Sequence, residues 1–275
     1  MPGLDAIDSA NRRCLEEAAA YRARLAEGTA HRVDLATLKH RYPYYGLVPC
    51  RAADVDFVML QAQDDVVAWK YLWFGDDAHE PRLVRQWVRW ARAARTVLDI
   101  GAYTGLMSVL AATVNPEARV HAFEPQRDVQ RRTDTNLRLN RVLDQVRLRT
   151  RALSDRSGSV EMYRYRKNDV LGSGNTLEAK DDLRVRSTTV VRRAPLDTLM
   201  PQVAPDLVKI DTEGHELAVL RGAEQAFRRG RPNLLVEVWE HTRDEVLALL
   251  SSWGYEAVPY EKRVRPVMNF ACTAR

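Results

Sequence analysis

The stretch DLVKIDTEGHEL (Asp206–Leu217) gathers Lys209, Asp211, Glu213, His215 and Glu216 at the exit of a short apolar run. Side chains two apart on a strand share a face, so Lys209 and Asp211 point the same way. A lysine inside a strand covered on both faces is costly unless paired, and Asp211 is the obvious partner. Gly214 permits a sharp turn, after which His215 opens the next element. His215 changes charge near neutral pH and is the first candidate to take a proton from a hydroxyl; Asp211 is the second. Lys209 would neutralise Asp211 or stabilise a developing alkoxide. Glu213 and Glu216 read as acids of a first helical turn, favoured there by the helix dipole. The plainer alternative stays open: a Lys209–Asp211 pair that fixes the strand end, beside a solvated His215. Glu237 and His241 follow the next apolar run, and with Asp211 they offer an oxygen- and nitrogen-rich set that would suit magnesium. Their spacing demands no metal.

A second constellation precedes this one. VLDIGAYTG puts Asp99 late in a strand and Gly101 and Gly105 in the turn that follows. Dinucleotide folds use G-x-G-x-x-G with a pyrophosphate against the helix. This turn reads G-x-x-x-G and has an acid two residues ahead, which would repel a diphosphate and suit a cation. VHAFEP then ends its strand in Glu124, placed where an acid can hold both hydroxyls of a ribose. A ribose, no phosphate and a positive or zwitterionic arm together describe S-adenosylmethionine.

These residues need a scaffold that brings strand ends together. From Thr96 onward short apolar runs alternate with helical patterns. The strands are TVLDI, RVHAFEP, VRLRTRAL, SVEMYRYR, DLVKID and NLLVEVWE. The helices are TGLMSVLAATV, QRDVQRRTDTNLRLN, ELAVLRGAEQAFRRG and RDEVLALLSSWG. YEAVPY and VMNFACTA complete a closing hairpin. The order predicts an α/β fold with a mostly parallel seven-stranded sheet, a C-terminal antiparallel hairpin and helices on both faces. Ligands in such sheets gather beyond the carboxyl ends of the strands, at the switch in strand order.

Residues 1–80 are read as an N-terminal helical and β-hairpin extension, a cap or oligomerisation element, and 81–275 as the cofactor-binding domain. In the extension, Ile7–Glu27 and Val33–His40 are predicted helices, and VDFVMLQAQDDVVAWKYLWFG is predicted as two strands about Asp64–Asp65. EPRLVRQWVRWARAAR is an amphipathic helix with Pro81 in its first turn. The polar, glycine-containing segment from Tyr165 to Val185 is expected to form a hairpin or lid near the acceptor.

Composition narrows the classes. The net charge is +5, and of 42 basic residues only six are lysine. The arginine-rich run Arg127–Arg151 lacks interleaved aromatics for base stacking, so a helix face followed by a strand is preferred to a nucleic-acid surface. No apolar run is long enough to span a bilayer, and no secretory h-region opens the chain. Cys14, Cys50 and Cys272 fit neither a metal nor a disulfide spacing. The expectation is a cytoplasmic protein with a small-molecule partner, no nucleic acid, no membrane, and a homodimer as one option.

VLDIGAYTG, VHAFEP, RALSDRSG, APLDTL, LVKIDTEGHELAVLRGA and PNLLVEV, in this order between about Glu80 and Glu240, resemble the FkbM-type S-adenosylmethionine-dependent methyltransferases, with a class I, Rossmann-like fold. Tyr103 stands where that family often has asparagine. The resemblance implies that Asp99, Gly101, Ala102, Tyr103, Thr104 and Gly105 wrap the methionine end. It implies that Glu124 and Pro125 hold the ribose, that Ser154 and Asp155 border the adenine, and that Glu80 reaches the amino group. Asp155 capping its own turn, and Glu80 as a helix-start acid, remain alternatives. The implied reaction is O-methylation of a sugar or natural-product hydroxyl, with His215, Asp211 and Lys209 as its catalytic residues. An amine acceptor, an RNA methyltransferase and a non-catalytic binding protein are the other readings.

Overall fold

The computed structural model describes residues 4–165, 170–179, 185–260 and 266–275. Chain order begins with α1 (Leu4–Ala26), α2 (Leu35–Arg41), β1 (Tyr45–Ala52), β2 (Val55–Ala62), α3 (Val66–Phe74) and α4 (Pro81–Ala91). The alternating part is β3 (Thr96–Ile100), α5 (Leu106–Val114), β4 (Arg119–Phe123), α6 (Arg127–Leu139) and β5 (Val146–Arg149). Next come β6 (Ala152–Leu153), β7 (Gly158–Tyr165), β8 (Val185–Ala194), α7 (Leu196–Leu199) and β9 (Leu207–Ile210). The chain ends with α8 (Glu216–Arg221), α9 (Glu224–Gly230), β10 (Asn233–Trp239), α10 (Arg243–Ser252), β11 (Tyr255–Pro259) and β12 (Val267–Ala274).

The main sheet has seven strands in the order β11-β12-β10-β9-β3-β4-β5. β5, β4, β3, β9 and β10 run parallel, and β12 returns antiparallel between β10 and β11. This is the predicted architecture. Strand order reverses between β3, whose successors lie on one side, and β9, which lies on the other; a crevice opens beyond the carboxyl ends there. Period-2 alternation divides the core in two. Val97, Val120 and Leu207 face α4, α5 and the extension, while Leu98, Val208 and Val236 face α8, α9 and α10. The first of these apolar clusters runs without a break from Cys14, Tyr21 and Trp73 to the sheet, so the extension shares the core of the main sheet.

The extension departs from expectation. The hairpin is β1–β2, with Ala53 and Asp54 both at positive φ (49° and 69°) in a two-residue turn. That is the backbone of a type I′ turn, built without the usual Asn-Gly signal. The segment expected as the second strand is helix α3, because Asp65 caps it: its carboxylate accepts from the Val67 and Ala68 N–H groups at 2.9 and 3.1 Å. Val67, Trp69, Tyr71 and Trp73 are buried around most of its circumference, and an all-round apolar helix carries no period to distinguish it from a strand. Two further readings are adjusted. The expected single helix after Glu216 breaks at Gly222, where a side chain would overlap the Ser154 carbonyl oxygen. VRLRTRAL splits into β5 and β6, the latter pairing with β8 in a three-stranded sheet, β6-β8-β7. Among the described residues no helix is long and apolar enough to cross a membrane. All three cysteines are free and buried.

Candidate active site

A cavity of about 450 Å³ lies over the ends of β3, β4 and β9. Its floor is the glycine turn. A Cβ on Gly101 (φ +82°) would overlap the Asp211 carbonyl oxygen, so the ends of β3 and β9 meet there with no room for a side chain. Asp99, Gly101, Ala102 and Tyr103 line the cavity. Thr104 and Gly105 do not: they shape the turn from behind, the Thr104 carbonyl accepting from Asn136 Nδ2 at 2.8 Å and Gly105 packing on Thr133.

Asp99 pairs in register with Lys209 across β3 and β9. Ser108 Oγ donates to Asp99 Oδ2 at 2.6 Å, while Oδ1 is buried without a hydrogen-bond partner. Burial raises the Asp99 carboxyl above its ordinary range, opposed by Lys209 and Ser108. Lys209 Nζ lies 2.6 Å from Asp211 Oδ2, as the sequence predicts. Burial alone would lower this lysine's pKa; Asp211, Glu80 and Asp99 together outweigh it and hold the ammonium charged. Three carboxylates thus surround one cation, leaving the cavity an excess of negative charge suited to a positively charged ligand.

Glu124 is 5% exposed. Burial pushes its carboxyl up to about 7, moderated by hydrogen bonds from Gln126. The Gln126 N–H donates to Glu124 Oε1 at 2.8 Å. Pro125 and Gln126 complete that wall. Ser154 and Asp155 fall outside the lining, and Arg151, Ala152 and Leu153 stand there instead. β6 turns Ser154 inward against Gly222, fully buried, with its hydroxyl 3.1 Å from Asp155 Oδ1.

The motif after β9 is only partly as expected. Glu213 lines the cavity at φ +58°. Glu216 opens α8 as an acid of its first turn, yet it is fully buried, and its Oε1 accepts from Thr212 N, Thr212 Oγ1 and Gly214 N at 2.9, 3.0 and 3.0 Å. Burial lifts it to about 7. His215 is 6% exposed, with Nε2 3.0 Å from Ser154 Oγ and Nδ1 2.5 Å from Glu178 Oε1. Both ring nitrogens are engaged, so the histidine is fixed rather than solvated. Glu237 also lines the cavity, its carboxyl raised by burial and by Asp211, Glu213 and Glu216. Among the described residues no three His, Cys, Asp or Glu side chains come together as a metal site, so the Asp211–Glu237–His241 set does not form.

Residues the sequence left unassigned close the cavity. α3 contributes Val66, Val67 and Lys70, and the loop before α4 contributes His79 beside the predicted Glu80. Glu80 occupies the N-cap position of α4 with a left-handed backbone (φ 42°), its side chain making no cap bond. Lys70 Nζ lies 2.9 Å from His79 Nδ1. Burial, Lys70 and Lys209 push His79 well below its ordinary pKa, so the neutral ring accepts from Lys70 and keeps its proton on Nε2. Lys70 lies in a stretch that reads as strand, and His79 falls between that stretch and the next predicted helix, so no periodic signal marks either.

The profile of the methyltransferase FkbM domain matches residues 99–257, more than half of the chain. Methyltransferase sdnD of Sordaria araneosa is 27% identical over 211 residues, 65% of this chain and 80% of that protein. A methyltransferase FkbM from Methylobacillus flagellatus KT is 19% identical, with 66% of this chain and 44% of that chain covered and a TM-score of 0.41. This chain therefore spans less than half the length of that structure. A precorrin-6y C5,15-methyltransferase from Geobacter metallireducens GS-15 is 16% identical over 71% of this chain and 88% of that one, with a TM-score of 0.42. The catalytic domain, from the glycine turn to β11, belongs to the FkbM methyltransferase family.

Proposed function

We propose that this methyltransferase uses S-adenosylmethionine to methylate a hydroxyl of a small-molecule acceptor, a sugar or natural-product intermediate, with Asp211 as the proton acceptor. The observation that carries the cofactor is the pair of strand-end acids. Asp99 has a buried oxygen with no partner among the described residues, at what would be the methionine end, and Glu124 stands at what would be the ribose end. Those residues fit a ligand carrying cationic and hydroxyl donors.

When bound, the sulfonium supplies an electrophilic methyl for in-line displacement. The chain's residues have two tasks: aligning the acceptor oxygen and receiving its proton. Asp211 lines the cavity with its side chain 28% exposed, and Lys209 fixes one of its oxygens. The other has no hydrogen-bond partner among the described residues and is open to the acceptor. His215, the first choice from sequence, would have to release Ser154 or Glu178 to act as a base, so we assign it a positioning role. Lys209 limits charge build-up as the proton moves. Buried free cysteines fit a reducing, cytoplasmic setting.

The test is a methyl-label transfer screen of candidate alcohols and amines with the wild type, Asp211→Asn and His215→Ala. Asp211→Asn is expected to lose about 10²–10⁴-fold in turnover, with cofactor affinity within a few-fold of wild type, and His215→Ala to lose less. A larger loss in His215→Ala would return the base role to the histidine. Labelling of amines alone would overturn the O-methyl reading.

A further inference from the structure

Gln126 follows Glu124 by two residues at the start of α6, yet its side chain does not cap that helix. It is 6% exposed and turned into the cavity. Its Nε2 lies 3.4 Å from Glu124 Oε1 and 3.4 Å from the Gly172 carbonyl oxygen. Its Oε1 accepts from Asn175 Nδ2 at 2.6 Å. This donor–acceptor set fits one orientation of the amide, since the reverse would set two NH₂ groups face to face. Asn175, also buried, accepts from the Tyr165 N–H at 3.3 Å, which carries the link into β7. Gly172 has φ +64°, and a Cβ there would overlap Val129 and sit 2.9 Å from Gln126 Nε2. The segment Leu171–Thr176 is therefore pressed onto Gln126 by its backbone. Gly172 to Thr176 line the cavity, and the Leu171 N–H donates to the Asp64 carbonyl at 2.8 Å.

We infer that Gln126 is the positioning residue through which occupation of the ribose site at Glu124 latches Leu171–Thr176 over the cofactor. This rests on the S-adenosylmethionine reading. The physical basis is differential contact: ribose hydroxyls that hold Glu124 in place also hold the oxygen that Gln126 shares, and so fix the amide that grips Gly172 and Asn175. Coupling of this kind is reciprocal. A ligand that tightens the latch must bind more weakly once the latch is cut.

Hydrogen exchange by mass spectrometry on the full chain, with and without saturating S-adenosylmethionine, reads both ends, and calorimetry gives the affinity. In the wild type the ligand is expected to slow exchange over Asp99–Gly105 and over Leu171–Thr176. In Gln126→Ala the affinity should fall about tenfold, as for a lost hydrogen bond to a charged group. Protection over Asp99–Gly105 should persist at saturation while protection over Leu171–Thr176 disappears. Asn175→Ala, which leaves Glu124 untouched, should show the same split with a smaller loss of affinity, and it serves if Gln126→Ala does not fold. A merely structural role would loosen both segments together without ligand. Ligand-induced protection of Leu171–Thr176 that survives in both variants overturns the coupling alone; a wild type that binds no S-adenosylmethionine overturns the coupling and the cofactor reading together.

Discussion

The two walls of the cavity are built on different principles. One wall, Asp99 to Tyr103 with Glu124, stands on the ends of adjacent parallel strands, and its groups are fixed by ladder register and by one glycine contact. The opposite wall is assembled from a helix of the extension, the loop before α4 and the segment Val170–Leu177, held by side-chain bonds that bridge long stretches of sequence. Gln126 meets Asn175 across 49 positions and His215 meets Glu178 across 37. The first wall is fixed by the sheet; in the second, α3 is packed into the core while Val170–Leu177 is held by a few bonds that can be broken one at a time. Rigid strand ends suit a cofactor site, while an adjustable wall can admit and enclose an acceptor.

Substitutions should expose that difference. Gly101→Ala adds a Cβ against backbone at positive φ on the rigid wall and should cost about 4 kcal/mol or more, or prevent folding. Its urea midpoint is the measure, and a near-wild-type value would mean that the β3–β9 junction yields. Lys209→Met strands Asp99 and Asp211 without their shared cation. A loss of roughly 3–5 kcal/mol is expected, as when one partner of a buried ion pair is removed. On the other wall, Asp65→Ala removes the cap of α3 but leaves its core packing, and should cost only about 1–2 kcal/mol. Equal losses for Lys209→Met and Asp65→Ala would erase the contrast.

The same contrast explains what could be read from sequence. β3, β4, β9 and β10 were legible because short apolar runs end in glycines and acids, and this local pattern fixes both the strand and the residue at its end. Asp99, Glu124 and the Lys209–Asp211 pair follow directly from it. α3 was not legible, because valine and aromatic residues favour strands and the decisive Asp65 cap looks like a turn acid. The first-turn position of Glu216 follows from the sequence, but its burial depends on a turn closing over it, and the partners of His215, Ser154 and Glu178, are distant in the chain. Lys70 and His79 had no local signal; only the packing of the extension brings them to the cavity.

The most direct measurement is a calorimetric titration of the wild-type chain with S-adenosylmethionine and, separately, with NAD, at pH 6 and pH 8. Burial raises the Glu124 carboxyl to about 7, so below that pH ribose hydroxyls, as donors, must first displace a proton. Affinity for S-adenosylmethionine should therefore rise between pH 6 and pH 8, by up to about tenfold per unit below pH 7, and Glu124→Gln should flatten the rise. NAD, with its diphosphate facing Asp99, should not bind. Binding of NAD, or no binding of S-adenosylmethionine at either pH, would contradict a cationic adenosyl donor held between these two acids.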